Sequence, residues 1–428
     1  MRTEFAIRLR SSILAALCLG LLLPGAVAGQ ETVDTASGPD DLDSRARRIH
    51  ERVITIDTHD DIPSNFATAE SDPGEPEGRQ VTLPKMRAGG LDAVFFVVYV
   101  GQTERTPENE AEAKAEALRK FEGIHRLTDE MYPSEIGFAW TPDDLERLHD
   151  EGKLVATIGI ENGYSIGTDL SLMEKYHDLG ARYFGLTHIG HNDLADSSMP
   201  RENLGDTKEE HGGVSELGAR AIAEANRLGM MVDVSHSSKK TMLDATRLSI
   251  APIIASHSAV RALADSPRNL TDEELIALRE NGGVIQIVAF DGYLKVPSKE
   301  KQAAIEALRD EAEFDSWDTA TSAQRDAYRE ARAKLDDRYP GATLADLVDH
   351  IDYAVDLIGI DHVGISSDFD GGGGIPGWQD ASETFNVTRE LVRRGYSEEE
   401  IRKLWGGNLL RVWREVEAVA ARARASAE

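Results

Sequence analysis

KLVATIGIENG, residues Lys153–Gly163, is apolar at nearly every position from Leu154 to Ile160 and then stops on a carboxylate, Glu161, and an Asn-Gly turn. Such a run suits a parallel strand covered on both faces; a strand with one wet face would alternate. Seven other short runs read the same way: Val53–Asp57, Ala93–Val100, Arg182–Thr187, Met230–Val234, Pro252–Ser256, Gly283–Ala289 and His362–Ser367. Charged, helix-periodic stretches separate them. Asn109–Met131 is rich in Ala, Glu, Lys and Leu, Thr141-Pro142 opens another helix, and Thr271 with Glu274 has capping-box spacing. This α/β alternation, eight strands long, predicts a (β/α)8 TIM-like barrel more than an open sheet.

The barrel is expected over residues 49–420, preceded by a loose polar lead-in at 29–48. Two segments break its spacing. Glu70–Gln80 is a loop rich in Pro, Gly and acids after the first strand, and Lys295–Gly341 is a charged insert after the seventh. The insert contains helical stretches at Gln302–Glu313 and Ala323–Asp337. Insertions after strands lie on the C-terminal face, where barrel enzymes build their sites. A cover over the site, a dimer contact and a solvated decoration all fit the insert.

The 428 residues hold 47 Lys+Arg against 76 Asp+Glu, a formal charge of −29, and 41% are hydrophobic, enough for a large core. That acid excess argues against a nucleic-acid partner and against an anionic membrane surface. Residues 1–28 read as a signal peptide: Arg2, Arg8 and Arg10, an apolar run from Ile13 to Leu23, then Ala26-Val27-Ala28. The single cysteine, Cys18, falls inside it, so the mature chain would have neither disulfides nor thiolate ligands. The charged tail carries no lipid-anchor signal. The expectation is an exported protein, periplasmic or extracellular, with no membrane anchor after cleavage.

The residues that end the strands carry the chemistry. They are His59 and Asp61, Glu161, His188, His236, His257, Tyr293 shortly after the seventh run, and Asp368. In a barrel these positions share one mouth. A single strand-end His is usually structural, but four of the twelve His fall here, with carboxylates at three ends, one of them shared with His59. Three His, an Asp and a Glu suit Zn2+ better than Mg2+ or Ca2+. Five such ligands exceed the needs of one catalytic zinc and match two ions sharing a carboxylate. Glu161 lies between the His groups in barrel order and is the natural bridge. A hydroxide held between the ions would be the nucleophile, Asp368 its proton acceptor and His188 a donor to the developing oxyanion. Asp60 and Asp370 read as residues that orient the ligands, and Gly371–Gly374 as a flexible turn.

These residues, in this order, resemble the renal (membrane) dipeptidase family of binuclear zinc peptidases, whose barrel is of the metal-dependent hydrolase type. The motifs are D-x-H-x-D at Asp57–Asp61, I-E-N-G at Ile160–Gly163 and L-T-H…N at Leu186–Asn192. Further on come D-V-S-H at Asp233–His236, S-H-S at Ser256–Ser258, R-N at Arg268-Asn269, S-D-F-D-G at Ser367–Gly371 and G-G-N-L-L-R-V at Gly406–Val412. The resemblance implies one zinc on His59 and Asp61, a second on His236 and His257, and Glu161 between them. It also implies that Arg268 pairs with the substrate's C-terminal carboxylate, with Tyr293 at the same end and His188 also touching substrate. The implied reaction is hydrolysis of small dipeptides, L-D dipeptides included, by a bacterial-type exported member; a homodimer is what the family suggests. The mammalian members are disulfide-linked and lipid-anchored, and this chain shows neither feature. The insert is also longer, so their substrate range does not carry over. Another metal-barrel hydrolase (a lactonase, deacylase or phosphotriesterase) and a non-catalytic exported binding protein stand as alternatives.

Overall fold

Eight parallel strands form a ring in the computed structural model, which describes residues 39–312 and 321–427. The signal-peptide reading, the first part of the lead-in and the middle of the insert lie outside the described residues. The strands are β1 (Ile56–Asp61), β2 (Ala93–Tyr99), β3 (Ile136–Phe138), β4 (Leu154–Glu161), β5 (Ala181–Gly185), β6 (Met231–Asp233), β7 (Ile254–Ser258), β8 (Val284–Val288) and β9 (Val363–Ser366). The ring order is β1-β2-β4-β5-β6-β7-β8-β9. It closes through a parallel bridge between Asp60 and Phe369, with the Asp61 N–H donating to the Phe369 carbonyl at 2.9 Å. This is the (β/α)8 barrel expected from the alternation.

The strand β3 is an addition. It pairs with β4 at Leu154–Ala156, below the point where β5 joins β4 at Ile158, and so covers an edge that would otherwise leave backbone groups unpaired. Three residues are too few to show a periodicity.

Side-chain alternation along each strand divides the core in two. In β2, Val94, Phe96 and Val98 face outward and pack under the helices. Ala93 and Phe95 point inward and join Ile56, Val155, Tyr183, Met231, Ile254 and Val284. The C-terminal helix Asn408–Ala427 fills this end of the barrel with Leu409, Leu410, Val412, Trp413 and Val416, and Trp413 stands edge-on to Phe95 at 5.9 Å. One end of the barrel is therefore an apolar plug, which leaves the other for polar residues.

Two boundaries depart from expectation. The first strand begins three residues later and runs through His59 to Asp61, because the mouth is polar inside and a hydrophobic run underestimates a strand entering it. Within the lead-in, Pro39–His50 is a helix, not loose chain. Its end is held by His50: Nδ1 lies 2.7 Å from Thr388 Oγ1 and Nε2 lies 2.8 Å from the Gly89 carbonyl. The insert's helices, Lys299–Glu311 and Ser322–Arg338, match the expected stretches closely.

Burial lowers the His50 pKa from its ordinary 6.5. Above that pH the ring is neutral both folded and unfolded. As pH falls below it the unfolded chain takes up the proton first, so stability is lost on acidification. His50→Ala should cost about 1–3 kcal/mol at neutral pH, since it leaves buried groups unpaired. It should also shrink the acid-induced loss relative to wild type. Denaturant melts above and below pH 6.5 read both, and an unchanged pH dependence would contradict the assignment.

Candidate active site

Glu161, the last residue of β4, stands at the centre of the mouth. Its Oε2 is 3.3 Å from His59 Nε2, and its Oε1 is 2.9 Å from His236 Nε2 and 3.4 Å from His257 Nε2. His59 Nε2 is also 3.6 Å from Asp61 Oδ2, and His188 Nε2 is 3.8 Å from Glu161 Oε1. Potential ligand atoms fall into three overlapping groups, each within 4.8 Å: His59-Glu161-His257, Glu161-His188-His236 and His59-Asp61-Asp368. Seven residues named from strand ends thus meet around one carboxylate. All are buried except Asp61 and His188, which are partly exposed at the rim.

The backbone bends to deliver them. His236, Asp368, Asp370 and Asn162 all have left-handed φ values, between 58° and 76°. Non-glycine residues there each cost about 1–3 kcal/mol, and such strain collects where function fixes the geometry. Gly371 has a different reason: a Cβ there would collide with Asp61 Oδ2 and Asp368 Oδ1. Asp57 is a staple between strands, its Oδ1 accepting from the N–H of Ser367 at 3.0 Å and of His59 at 3.3 Å.

Outer hydrogen bonds orient the imidazoles. Tyr183 donates its hydroxyl to the Thr58 carbonyl (3.1 Å), so at 3.1 Å it accepts from His59 Nδ1–H. Ser256 donates to Asp233 Oδ2 (2.7 Å) and accepts from His257 Nδ1–H at 2.9 Å. Both networks assign the proton to Nδ1 and leave Nε2 with a lone pair facing inward. His236 Nε2 lies 2.9 Å from His257 Nε2, while His236 Nδ1 is buried without a hydrogen-bond partner. Imidazole lone pairs converging on a carboxylate form a cation site, and a mixed N/O donor set of this kind suits zinc and its neighbours.

Electrostatics divide the rings: burial keeps His188, His236 and His257 neutral, while His59 carries on Nε2 a proton that a bound cation would displace. Burial pushes His236 and His257 well below the usual imidazole range, with Arg268 adding to it. Burial likewise takes His188 down to about 4. For His59 burial is outweighed by Glu161, Asp61 and Asp368, which raise it to about 10. Glu161 is buried too, yet His59 and His188 hold it well below the ordinary carboxylate range. Asp368 goes the other way: burial, against the pull of His59 and reinforced by Asp61 and Glu161, raises it well above that range.

Arg268 is buried beside the cluster. It donates through NH2 to the His257 carbonyl at 3.0 Å and lies 5.1 Å from the centre of the Tyr293 ring. Tyr293 sits on the short helix Asp291–Leu294 and stacks on Phe290 at 4.1 Å. Asp370 accepts from the backbone of Gln80 and Val81 and pairs with Arg79 at 3.0 Å, fastening the end of the Glu70–Gln80 loop to the rim. Asp60 is buried behind the strand, its carboxyl raised by burial and by Asp370. His191 and His211 bond to the carbonyls of Thr207 and Asn192 and serve their own loop. Tyr99 was missed: its ring meets His188 edge-on at 4.6 Å. It is the last residue of β2, a strand end that carries no His, Asp or Glu.

The family model for membrane dipeptidase (peptidase family M19) matches residues 43–427. The dipeptidase aclJ of Aspergillus oryzae is 33% identical over 346 residues, 80% of this chain and 71% of that protein. The crystal structure of the probable dipeptidase PvdM from Pseudomonas aeruginosa superposes with a TM-score of 0.80 at 37% identity, covering 90% of this chain and all of that one. A metallo peptidase from Rhodobacter sphaeroides, liganded with a phosphinate mimic of the dipeptide L-Ala-D-Ala, has a TM-score of 0.63 at 25% identity, over 85% of this chain and 99% of that one.

Ser256→Ala would leave His257 Nδ1–H without its acceptor, and Tyr183→Phe would do the same to His59. Each should weaken metal affinity by about tenfold to a hundredfold with the fold retained. Chelator competition measures this, and unchanged affinity in both variants would refute the orienting role.

Proposed function

The chain belongs to the membrane dipeptidase family, peptidase family M19, and from that premise we propose that it hydrolyses small dipeptides with a free C-terminal carboxylate using two zinc ions. The carrying observation is the division of Glu161, one oxygen toward His59 and the other toward His236 and His257. His59 and Asp61 would hold one ion, His236 and His257 the other, and Glu161 both. When bound, such ions lower the pKa of a shared water so that it attacks at neutral pH.

The remaining steps belong to the chain's own groups. Asp368, buried at the mouth beside His59 and Asp61, would accept a proton at its carboxylate and return it to the leaving amine. His188, kept neutral by burial, would offer an N–H to the carbonyl oxygen as charge develops there. Arg268 and Tyr293 would meet the C-terminal carboxylate, for which a buried guanidinium fork is suited. The phosphinate mimic of L-Ala-D-Ala on the Rhodobacter sphaeroides relative supports extending the substrate range to L-D dipeptides.

Export and a homodimer are proposals of the same kind, supported by the sequence of residues 1–28 and by the family alone. Among the described residues no helix is long and apolar enough to cross a membrane.

Turnover on a panel of L-L and L-D dipeptides should vanish with chelator and return with Zn2+, with metal content approaching two ions per chain. No dipeptide turnover by metal-loaded protein would overturn the proposal. Asp368→Ala should lower kcat by about a hundredfold to ten-thousandfold with little change in KM. Arg268→Ala should chiefly raise KM, by about tenfold to a hundredfold for a lost charge-assisted contact.

A further inference from the structure

Three separated parts of the chain converge on Asp291, a residue the catalytic proposal does not use. Its Oδ2 lies 2.7 Å from Lys301 Nζ and 3.0 Å from Arg332 NH2, and its Oδ1 accepts the Ala342 N–H at 2.7 Å. Lys301 comes from the first helix of the insert, Arg332 from the second, and Ala342 from the chain just after it. The junction is tight: a Cβ on Gly341 would collide with Asp291 Oδ1. The Lys301 side chain is only 3% exposed, so its ammonium needs a close counter-charge, and Asp291 supplies one.

Asp291 is also the first residue of the short helix that carries Tyr293. The stacked rings of Phe290 and Tyr293 span one side of the mouth. A Cβ on Gly372 would lie 3.0 Å from Phe290, and Tyr293 lies under the Arg268 guanidinium. The barrel side of this short helix is fixed independently. Asn269 Nδ2 donates to the Tyr293 carbonyl at 2.7 Å, and His350 Nε2 lies 3.0 Å from the Leu294 carbonyl. On the insert side, Lys301 and Arg332, one from each helix, meet at this carboxylate.

We propose that Asp291 is a positioning residue: it fastens the two insert helices to the helix bearing Tyr293 and so sets the pocket wall that meets the C-terminal residue of the dipeptide. This rests on the assignment of Arg268 and Tyr293 to that end of the substrate. It makes the insert a determinant of which C-terminal side chains are accepted, acting through packing and not through contact with the reacting atoms.

Asp291→Asn keeps an acceptor for the Ala342 N–H and removes the charge. KM for dipeptides with a bulky C-terminal side chain should rise about fivefold or more, with kcat within about twofold and metal content unchanged, the pattern of lost binding rather than lost chemistry. Amide hydrogen exchange across Phe290–Leu294 should speed up, and Asp291→Glu should recover part of both effects. Arg332→Gln, at a half-exposed position with little risk to folding, should move both readouts the same way by a smaller amount. Unchanged KM and exchange in Asp291→Asn and Arg332→Gln would overturn the proposal, and so would a joint fall of kcat and metal content. If Arg268→Ala leaves KM unchanged while Asp291→Asn accelerates exchange, the carboxylate assignment fails and the coupling stands. If wild-type protein turns over no dipeptide, the exchange measurement alone decides the coupling.

Discussion

A single carboxylate, that of Glu161, has to be buried among four imidazoles, and the rest of the molecule is organised around making that tolerable. An ionised carboxylate without compensation is among the most costly groups to bury. Here each oxygen has a different histidine neighbour, and Asp61 and Asp368 add negative charge on one side. The excess of carboxylates over protonatable imidazoles is what makes the centre a cation site. His59 is pulled upward by that charge while His236 and His257 are pushed down by burial, so the cluster separates into a carboxylate-rich half and a neutral-imidazole half. Glu161 joins the two halves, one oxygen toward each.

Holding such a cluster open needs rigidity that the cluster itself does not supply. The apolar end of the barrel supplies it. Phe95, Tyr183 and Trp413 fill the interior beneath the site, and Tyr183 does two jobs at once: its ring packs on Phe95 and its hydroxyl orients His59. Beyond this plug the strain is local. The left-handed backbone at His236 and Asp368 brings their side chains into the cluster, and glycine at 371 leaves room where Asp61 and Asp368 crowd together. Strain of this kind persists only when surrounding packing overdetermines it.

The rim is assembled from loops that pin one another. Asp370 ties the Glu70–Gln80 loop to the end of β9, and Asn269 ties the Arg268 loop to Tyr293. The insert reaches the same rim through Asp291. Substrate groups would therefore be met by residues whose positions depend on partners far away in sequence, while the candidate metal-binding side chains sit on or just past the ends of strands. Chemistry on strands and selectivity on loops is the usual division of labour in this architecture.

The barrel and the polar side chains gathered at its mouth are legible because both leave local marks. Strands buried on both faces are apolar throughout, and a strand that ends on His, Asp or Glu in so many of its repeats announces a common mouth. Even so, the first strand was drawn short at Asp57, since hydrophobicity cannot follow a strand into a polar interior. Other features left no local mark. The helix Pro39–His50 has a polar sequence and takes its place from distant groups: Ala46 and Ile49 join the core, Arg47 lies over Phe385, and His50 meets Thr388 and Gly89. The β3 strand exists because β4 has an edge to cover. Tyr183 reads as one more core residue until its hydroxyl is seen beside His59, and Asp291 as one more acid until Lys301 and Arg332 of the insert and the Ala342 N–H just past it converge on its carboxylate. Periodicity and residue type, which are local, determined the fold class and marked the polar side chains that share one mouth. Orientation, tautomer and coupling depend on groups brought together from distant positions, and only the folded chain decided those.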